Sequence, residues 1–276
     1  HRGALRRHPI AAAVLALLLV GILVRAATEG ALSQAIVYFM AIAAGVALVD
    51  AVLAFAPPRS PAIVVRKPAS ELAVATAIFA GGLAWLSGHF VWNYQPQGPV
   101  RLLWLLLLIG CAFDLFLFLF LLTRRYGLGD LGFRFSGLLA APPVVAVFAT
   151  FALLFTQSTI TWSRLLEETG GTWLSVVATA LVAAVPEEFF RFVWQTRAGA
   201  FLNNRATGWL LASCLWATLH GPKDWDESHS IAATMMGMIN IVPLGLLWGY
   251  VTHRTRGILP AVLIHATNVW GIQNLP

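Results

Sequence analysis

Nine apolar windows divide this chain, each bounded by Pro, Gly or Arg, and that pattern restricts it to a helical membrane architecture. They fall at about residues 9–27, 32–56, 71–92, 101–122, 137–157, 172–196, 207–221, 231–251 and 257–273. Hydrocarbon offers no water to backbone N–H and C=O groups, so segments of this kind must satisfy them internally as helices. Charge is correspondingly scarce: 59% of the 276 residues are hydrophobic and 11% are charged, where a soluble chain carries about 25%. The mean hydropathy is +0.77. The expected fold is all-α, a polytopic transmembrane bundle of about eight or nine spans. Residues 1–135 are expected to form N-terminal transmembrane helices, and 136–276 a core of four to five helices.

The placement of charge orients these spans. If the chain crosses at every window, thirteen basic residues fall on one side, in the groups Arg2/Arg6/Arg7, Arg59/Arg66/Lys67, Arg124/Arg125/Arg134, Arg197/Arg205 and Arg254/Arg256. Four fall on the other, and Arg191 is left inside a window. The positive-inside rule then places the N-terminus in the cytoplasm. The run from Pro9 to Val24 reads as a first transmembrane helix rather than a signal peptide. Trp92, Trp104, Trp162 and Trp173 lie near window ends, as an interfacial aromatic belt requires. Arginine outnumbers lysine 16 to 2, a composition that suggests a bacterial inner membrane. Cys111 and Cys214 both lie in apolar runs and imply neither a disulfide framework nor a CxxC metal site. Nothing in the chain points to nucleic acid, and the oligomeric state is not legible.

Ionisable residues at membrane depth are costly and are normally paired and functional. Three apolar windows in the last third of the chain carry them. The first has Glu187-Glu188-Phe189-Phe190-Arg191, the second Trp216-Ala217-Thr218-Leu219-His220, and the third His265-Ala266-Thr267-Asn268. On a helix Glu187 and Arg191 are i,i+4 and Glu188 and Arg191 are i,i+3, so Arg191 can pair with either carboxylate. A carboxylate so poised can act as a general base towards water. Trp216 and His220 share one helix face, as do His265 and Asn268. An imidazole with an amide can donate hydrogen bonds to a developing oxyanion.

This ordered set resembles the CAAX-protease and bacteriocin-processing family of intramembrane endopeptidases, also called Abi or CPBP proteins. The family pattern is Glu-Glu-x-x-x-Arg, Phe-x-x-x-His and His-x-x-x-Asn on successive core helices. Here Arg191 and Asn268 each lie one residue closer to their partners, and Trp216 replaces the usual Phe. The stretch Tyr126 to Arg134 also resembles a family loop segment. The resemblance covers about residues 172–273 and implies a membrane-embedded protease that needs no covalent intermediate. It implies Glu187 as the base with His220 as its partner on the water. Glu188 is the alternate base or the partner of Arg191. His265 and Asn268 would form the oxyanion hole, and Trp216 would pack the motif. The implied substrate is a membrane-associated peptide or protein.

Other readings stay open. A metal-free site is expected, although Glu187, His220 and His265 would make a three-ligand zinc site with an open position. A proton- or solute-coupled transporter would use Glu187, Glu188 and Asp114 as relays, and an inactive immunity or scaffold member would keep only the fold. Asp50 and Asp114 are expected to make interhelix hydrogen bonds, with a proton path the sharper alternative for Asp114. The loop Asp224, Asp226, Glu227 and His229 is expected to be a solvated turn rather than a set of ligands.

Overall fold

The computed structural model describes residues 8–91, 99–155 and 172–268. Arg2, Arg6, Arg7, Trp92 and Trp162 lie outside them, as do the side chains of Trp104 and Trp173. Ten α-helices are present among the described residues: α1 (Pro9–Thr28), α2 (Leu32–Phe55), α3 (Pro68–Val91), α4 (Pro99–Thr123), α5 (Ala141–Phe155), α6 (Trp173–Phe201), α7 (Arg205–Thr218), α8 (Gly221–Ser228), α9 (Ile231–Thr255) and α10 (Leu259–Thr267). A single 3-10 turn, Leu138–Ala140, leads into α5. No strand occurs among the described residues, and the protein is an all-helical membrane protein.

Among the described residues four helices have the length and apolarity of a membrane span: α1, α2, α3 through Gly88, and α9. Their leucine- and alanine-rich faces remain exposed, as at Leu17, Val20, Ile36 and Met40, where lipid would cover them. The windows at 207–221 and 257–273 form shorter elements than expected. The 14 residues of α7 give about 21 Å at 1.5 Å per residue, and the nine of α10 about 13 Å. Both are less than the roughly 30 Å hydrocarbon thickness. The expected solvated turn at 224–229 is instead the end of a helix, α8, started by Pro222 in its first turn, where a missing N–H costs nothing.

Close backbone approach sets the core. Gly208 of α7 lies against α6 so tightly that an added Cβ would be 2.4 Å from the Gly199 nitrogen and 2.7 Å from the Gln195 carbonyl. Gly245 and Gly249 of α9 make the same one-turn, small-residue seam. A Cβ on Gly245 would meet Trp216 Cε3 at 2.8 Å, and one on Gly249 would meet Trp209 Cδ1 at 2.8 Å. Small residues let membrane helices pack this closely. The seam is tied by Trp209 Nε1–H donating to the Leu246 carbonyl at 2.9 Å and by Gln195 Nε2–H donating to the Gly249 carbonyl at 3.1 Å.

The N-terminal helices clamp this core. Asp50 of α2 accepts from the Tyr250 hydroxyl at 2.6 Å and from Arg254 Nε at 2.8 Å, both on α9, which is the interhelix bonding expected of it. Glu71 of α3 is fully buried and accepts from Arg197 Nε of α6 at 3.1 Å. It also accepts from the Tyr126 hydroxyl and from the Lys67 backbone N–H. Arg197 was grouped with the loop cations; the fold instead buries it completely, because α6 runs four residues beyond it before turning. The Tyr126–Arg134 segment packs on the same end of α6 through Phe133 and Phe189. Ile258 N–H, at the start of α10, bonds the Gly132 carbonyl at 2.8 Å. Gly132 has φ +87°, and a Cβ there would press on Ile258, so the turn requires glycine.

Candidate active site

Pro186 sits inside α6, one residue before the paired carboxylates. Its ring nitrogen cannot donate to the carbonyl one turn earlier, which loosens the helix where the acids emerge. Glu187 and Glu188 then take different environments. Glu188 faces inward with a fully buried side chain, whereas the Glu187 side chain keeps 29% exposure.

Glu188 is held from two sides. Arg191, one turn along α6 and itself buried, donates to Glu188 Oε1, and His265 Nδ1 of α10 lies 2.8 Å from the same oxygen. Two donors on one carboxylate oxygen neutralise a charge that burial alone would make costly. The Arg191 guanidinium also stacks over the Trp216 indole, with Cζ 4.9 Å from the ring centroid, adding a cation–π contact.

Glu187 is held more lightly. Its Oε2 accepts from Trp216 Nε1–H at 2.5 Å and lies 3.7 Å from His265 Nε2. That second separation exceeds a direct hydrogen bond. The His265 imidazole thus spans the two acids, with Nδ1 on Glu188 and Nε2 towards Glu187. Trp248 of α9, fully buried, stacks on this imidazole at 5.6 Å and 18°, and Trp216 meets it edge-on at 5.8 Å. Two indoles and a carboxylate therefore fix the plane of the ring.

His220 lies past the end of α7, at the junction with α8. Its ring packs edge-on against Trp216 at 4.9 Å, and its buried Nδ1 has no hydrogen-bond partner among the described residues. The helix break turns this imidazole towards the same indole that holds Glu187. Its backbone carbonyl accepts from Asp224 N–H at 3.0 Å. Asp224, outside the spans, has its carboxyl pushed above the usual range by burial. Asn268 is buried at the C-terminal end of α10, and its N–H bonds the His265 carbonyl at 2.9 Å.

The structure therefore gathers Glu187, Glu188, Arg191, Trp216, His220 and His265 around one indole, from α6, the α7–α8 junction and α10. Expectation paired His220 with Glu187 and set His265 beside Asn268; it is His265 that reaches both carboxylates. Trp248 was not singled out from the sequence, and only its position one residue before Gly249 in the small-residue seam marks it. Among the described residues no three His, Cys, Asp or Glu side chains are grouped so as to hold a metal ion. The groups present can bind, hold and move protons.

Paired acids, a guanidinium and imidazoles brought together by packed core helices define a membrane protein with a polar cluster in its core. Residues 168–271 match the family described as type II CAAX prenyl endopeptidase, Rce1-like. That segment, which holds every residue of the cluster, is what the chain shares with this family. No curated protein and no solved structure matches the chain.

Proposed function

We propose that the protein is an intramembrane glutamate-type endopeptidase that hydrolyses a peptide bond in a membrane-associated peptide or protein. The observation that carries this reading is the asymmetry of the two acids. Glu188 is neutralised by Arg191 and His265 and has no exposed side-chain surface, whereas Glu187 is partly exposed and bears one donor. Glu187 is thus the acid free to act on water, and Glu188 the anchor that orients the cluster.

In this mechanism Glu187 takes a proton from water as the oxygen attacks the scissile carbonyl. His265, with Nδ1–H donated to Glu188, presents Nε2 to the same water across the 3.7 Å gap. His220, whose Nδ1 has no hydrogen-bond partner among the described residues, and the amide of Asn268 are the donors for the oxyanion. Glu187 then returns its proton to the leaving amine, so that water and peptide become a carboxylic acid and an amine. No step requires a metal or a covalent intermediate. The 136–276 region forms the catalytic core and 1–135 its transmembrane support. The N-terminus is cytoplasmic in a bacterial inner membrane, which the gathering of basic loops at one end supports: Arg134 bonds the Pro61 carbonyl and Arg256 the Ser60 carbonyl.

The test is cleavage of a membrane-tethered peptide by the purified protein in detergent. Wild type should cleave, and Glu187→Gln and His220→Ala should lower the rate by about 100-fold or more, the scale of general acid–base and oxyanion contributions. Activity at wild-type level in both variants would overturn the assignment. A pH-dependent solute flux in vesicles, without cleavage, would establish a transporter instead.

A further inference from the structure

Where α2 ends, a cavity of about 360 Å³ opens between the loop that follows it and the turn that leads into α5. Its volume is that of a small-ligand site, about 300–1,000 Å³. The 24 residues of α2 give about 36 Å at 1.5 Å per residue, enough to cross the roughly 30 Å hydrocarbon layer. Residues 56–60, which follow Phe55 directly, therefore come at the level of lipid headgroups.

The walls of this cavity are held in place. Pro57 and Pro58 on one side are restrained in φ by their rings. The same loop is pinned by its carbonyls, Pro61 accepting from Arg134 and Ser60 from Arg256. On the other side Gly137 has φ +71° and packs so closely that an added Cβ would lie 2.7 Å from Thr255 Cβ. A site formed in advance loses less freedom on binding.

The lining favours an anion. Arg59 lines the cavity, is exposed and makes no ion pair among the described residues. Among the described residues no carboxylate lines it. Arg134 and Arg256 add positive charge beside the loop, and Asp130, 3.9 Å from Arg134, offsets part of it. Ser136 also lines the cavity, and its Oγ is closed to solvent without a hydrogen-bond partner among the described residues. A buried hydroxyl left unpaired is costly, and an oxygen acceptor that reaches it removes the cost. Phe135 and Leu139 line the cavity too and are largely exposed. A cation, an orphaned hydroxyl and two bare apolar side chains match a phosphate that carries hydrocarbon. Free phosphate offers Phe135 and Leu139 nothing to contact.

We propose that this cavity binds one anionic phospholipid, its phosphate on Arg59 and Ser136 and the start of an acyl chain against Phe135 and Leu139. The site lies outside the acid–imidazole cluster and does not depend on the protease reading. A lipid bound there ties the end of α2 to the turn before α5 and stabilises the folded bundle by mass action.

The test is native mass spectrometry of the purified protein in detergent with phosphatidylglycerol or phosphatidylcholine added, read beside the melting midpoint. Wild type should retain one phosphatidylglycerol about fivefold more tightly than phosphatidylcholine, the scale of one charge near a membrane surface. That lipid should raise the midpoint. Arg59→Gln changes an exposed side chain and should fold. It should weaken phosphatidylglycerol binding about tenfold, the scale of one hydrogen bond to a charged group. Ser136→Ala should weaken it about threefold. Lys67→Gln, an exposed cation outside the cavity, should change it by less than about twofold, because salt screens such a charge. Equal retention of the two lipids, unchanged binding in Arg59→Gln, or an equal loss in Lys67→Gln would overturn the site. Displacement of the lipid by inorganic phosphate at equal concentration would show a free-anion site and overturn the lipid assignment.

Discussion

His265 Nδ1 lies 2.8 Å from Glu188 Oε1, and this contact sets the two adjacent acids apart: Glu188 is held from two sides and buried, while Glu187 stays partly exposed. Glu188→Gln should strand the buried Arg191 charge and release the imidazole together. Loss of one partner of a buried pair costs roughly 3–5 kcal/mol, so this variant should fall in both thermal midpoint and activity. Glu187→Gln removes a partly exposed group, so its midpoint should stay within about 3 °C of wild type, the scale of 1 kcal/mol in a chain this long. Melting and cleavage measured on the same preparations distinguish the two; equal destabilisation by both would contradict the assignment of roles.

The Trp216 indole is a second, independent hold on Glu187. Trp216→Phe keeps an aromatic face under Arg191 and beside both histidines but removes the Nε1–H donated to Glu187 Oε2. A hydrogen bond to a charged group contributes about 1.5–3 kcal/mol to stability, so the melting midpoint should fall and, with Glu187 no longer held, the rate should fall at least about tenfold. The effect should vanish in a Glu187→Gln background, where the base is already gone. A full further loss in the double variant would show that the indole acts elsewhere.

Much of this arrangement was legible because it is local. The Glu188–Arg191 pair is three residues apart on one helix, and the apolar windows agree with most helix boundaries. What escaped was set by tertiary packing. Glu71 and Arg197 are 126 residues apart, and nothing in either segment announces the other. Arg197 looked like a loop cation because its helix was expected to end one residue earlier. His220 was expected within a continuous helix, yet Gly221-Pro222 follow it directly and start a new one. The window at 207–221 gives no sign of that break, which leaves the histidine at a junction.

The Glu71–Arg197 pair should behave as a structural clamp. Both side chains have no exposure, so Glu71→Met or Arg197→Met alone leaves an uncompensated buried group and should lower stability by roughly 3–5 kcal/mol. Replacing both, Glu71→Met with Arg197→Met, should recover much of that loss, because the desolvation cost disappears with the charges. A double-mutant cycle by chemical denaturation in detergent reads the coupling. Additive losses would show that the pair does not act as one unit.

The spacing of α6 and α7 decides whether the indole can reach Glu187 at all. A Cβ on Gly208 would lie 2.4 Å and 2.6 Å from the nitrogen and Cα of Gly199, backbone atoms that cannot rotate away. Gly208→Ala should therefore push α7 outward and carry Trp216 off Glu187. Gly21, on the first helix, is the control, since a Cβ there meets nothing within 4 Å. Gly21→Ala should be neutral or stabilise by up to about 1 kcal/mol through helix propensity. Tryptophan fluorescence and cleavage rate should both change in Gly208→Ala and in neither case for Gly21→Ala. If Gly208→Ala retained full activity and an unchanged spectrum, the close α6–α7 seam would not be what holds the indole against the acid.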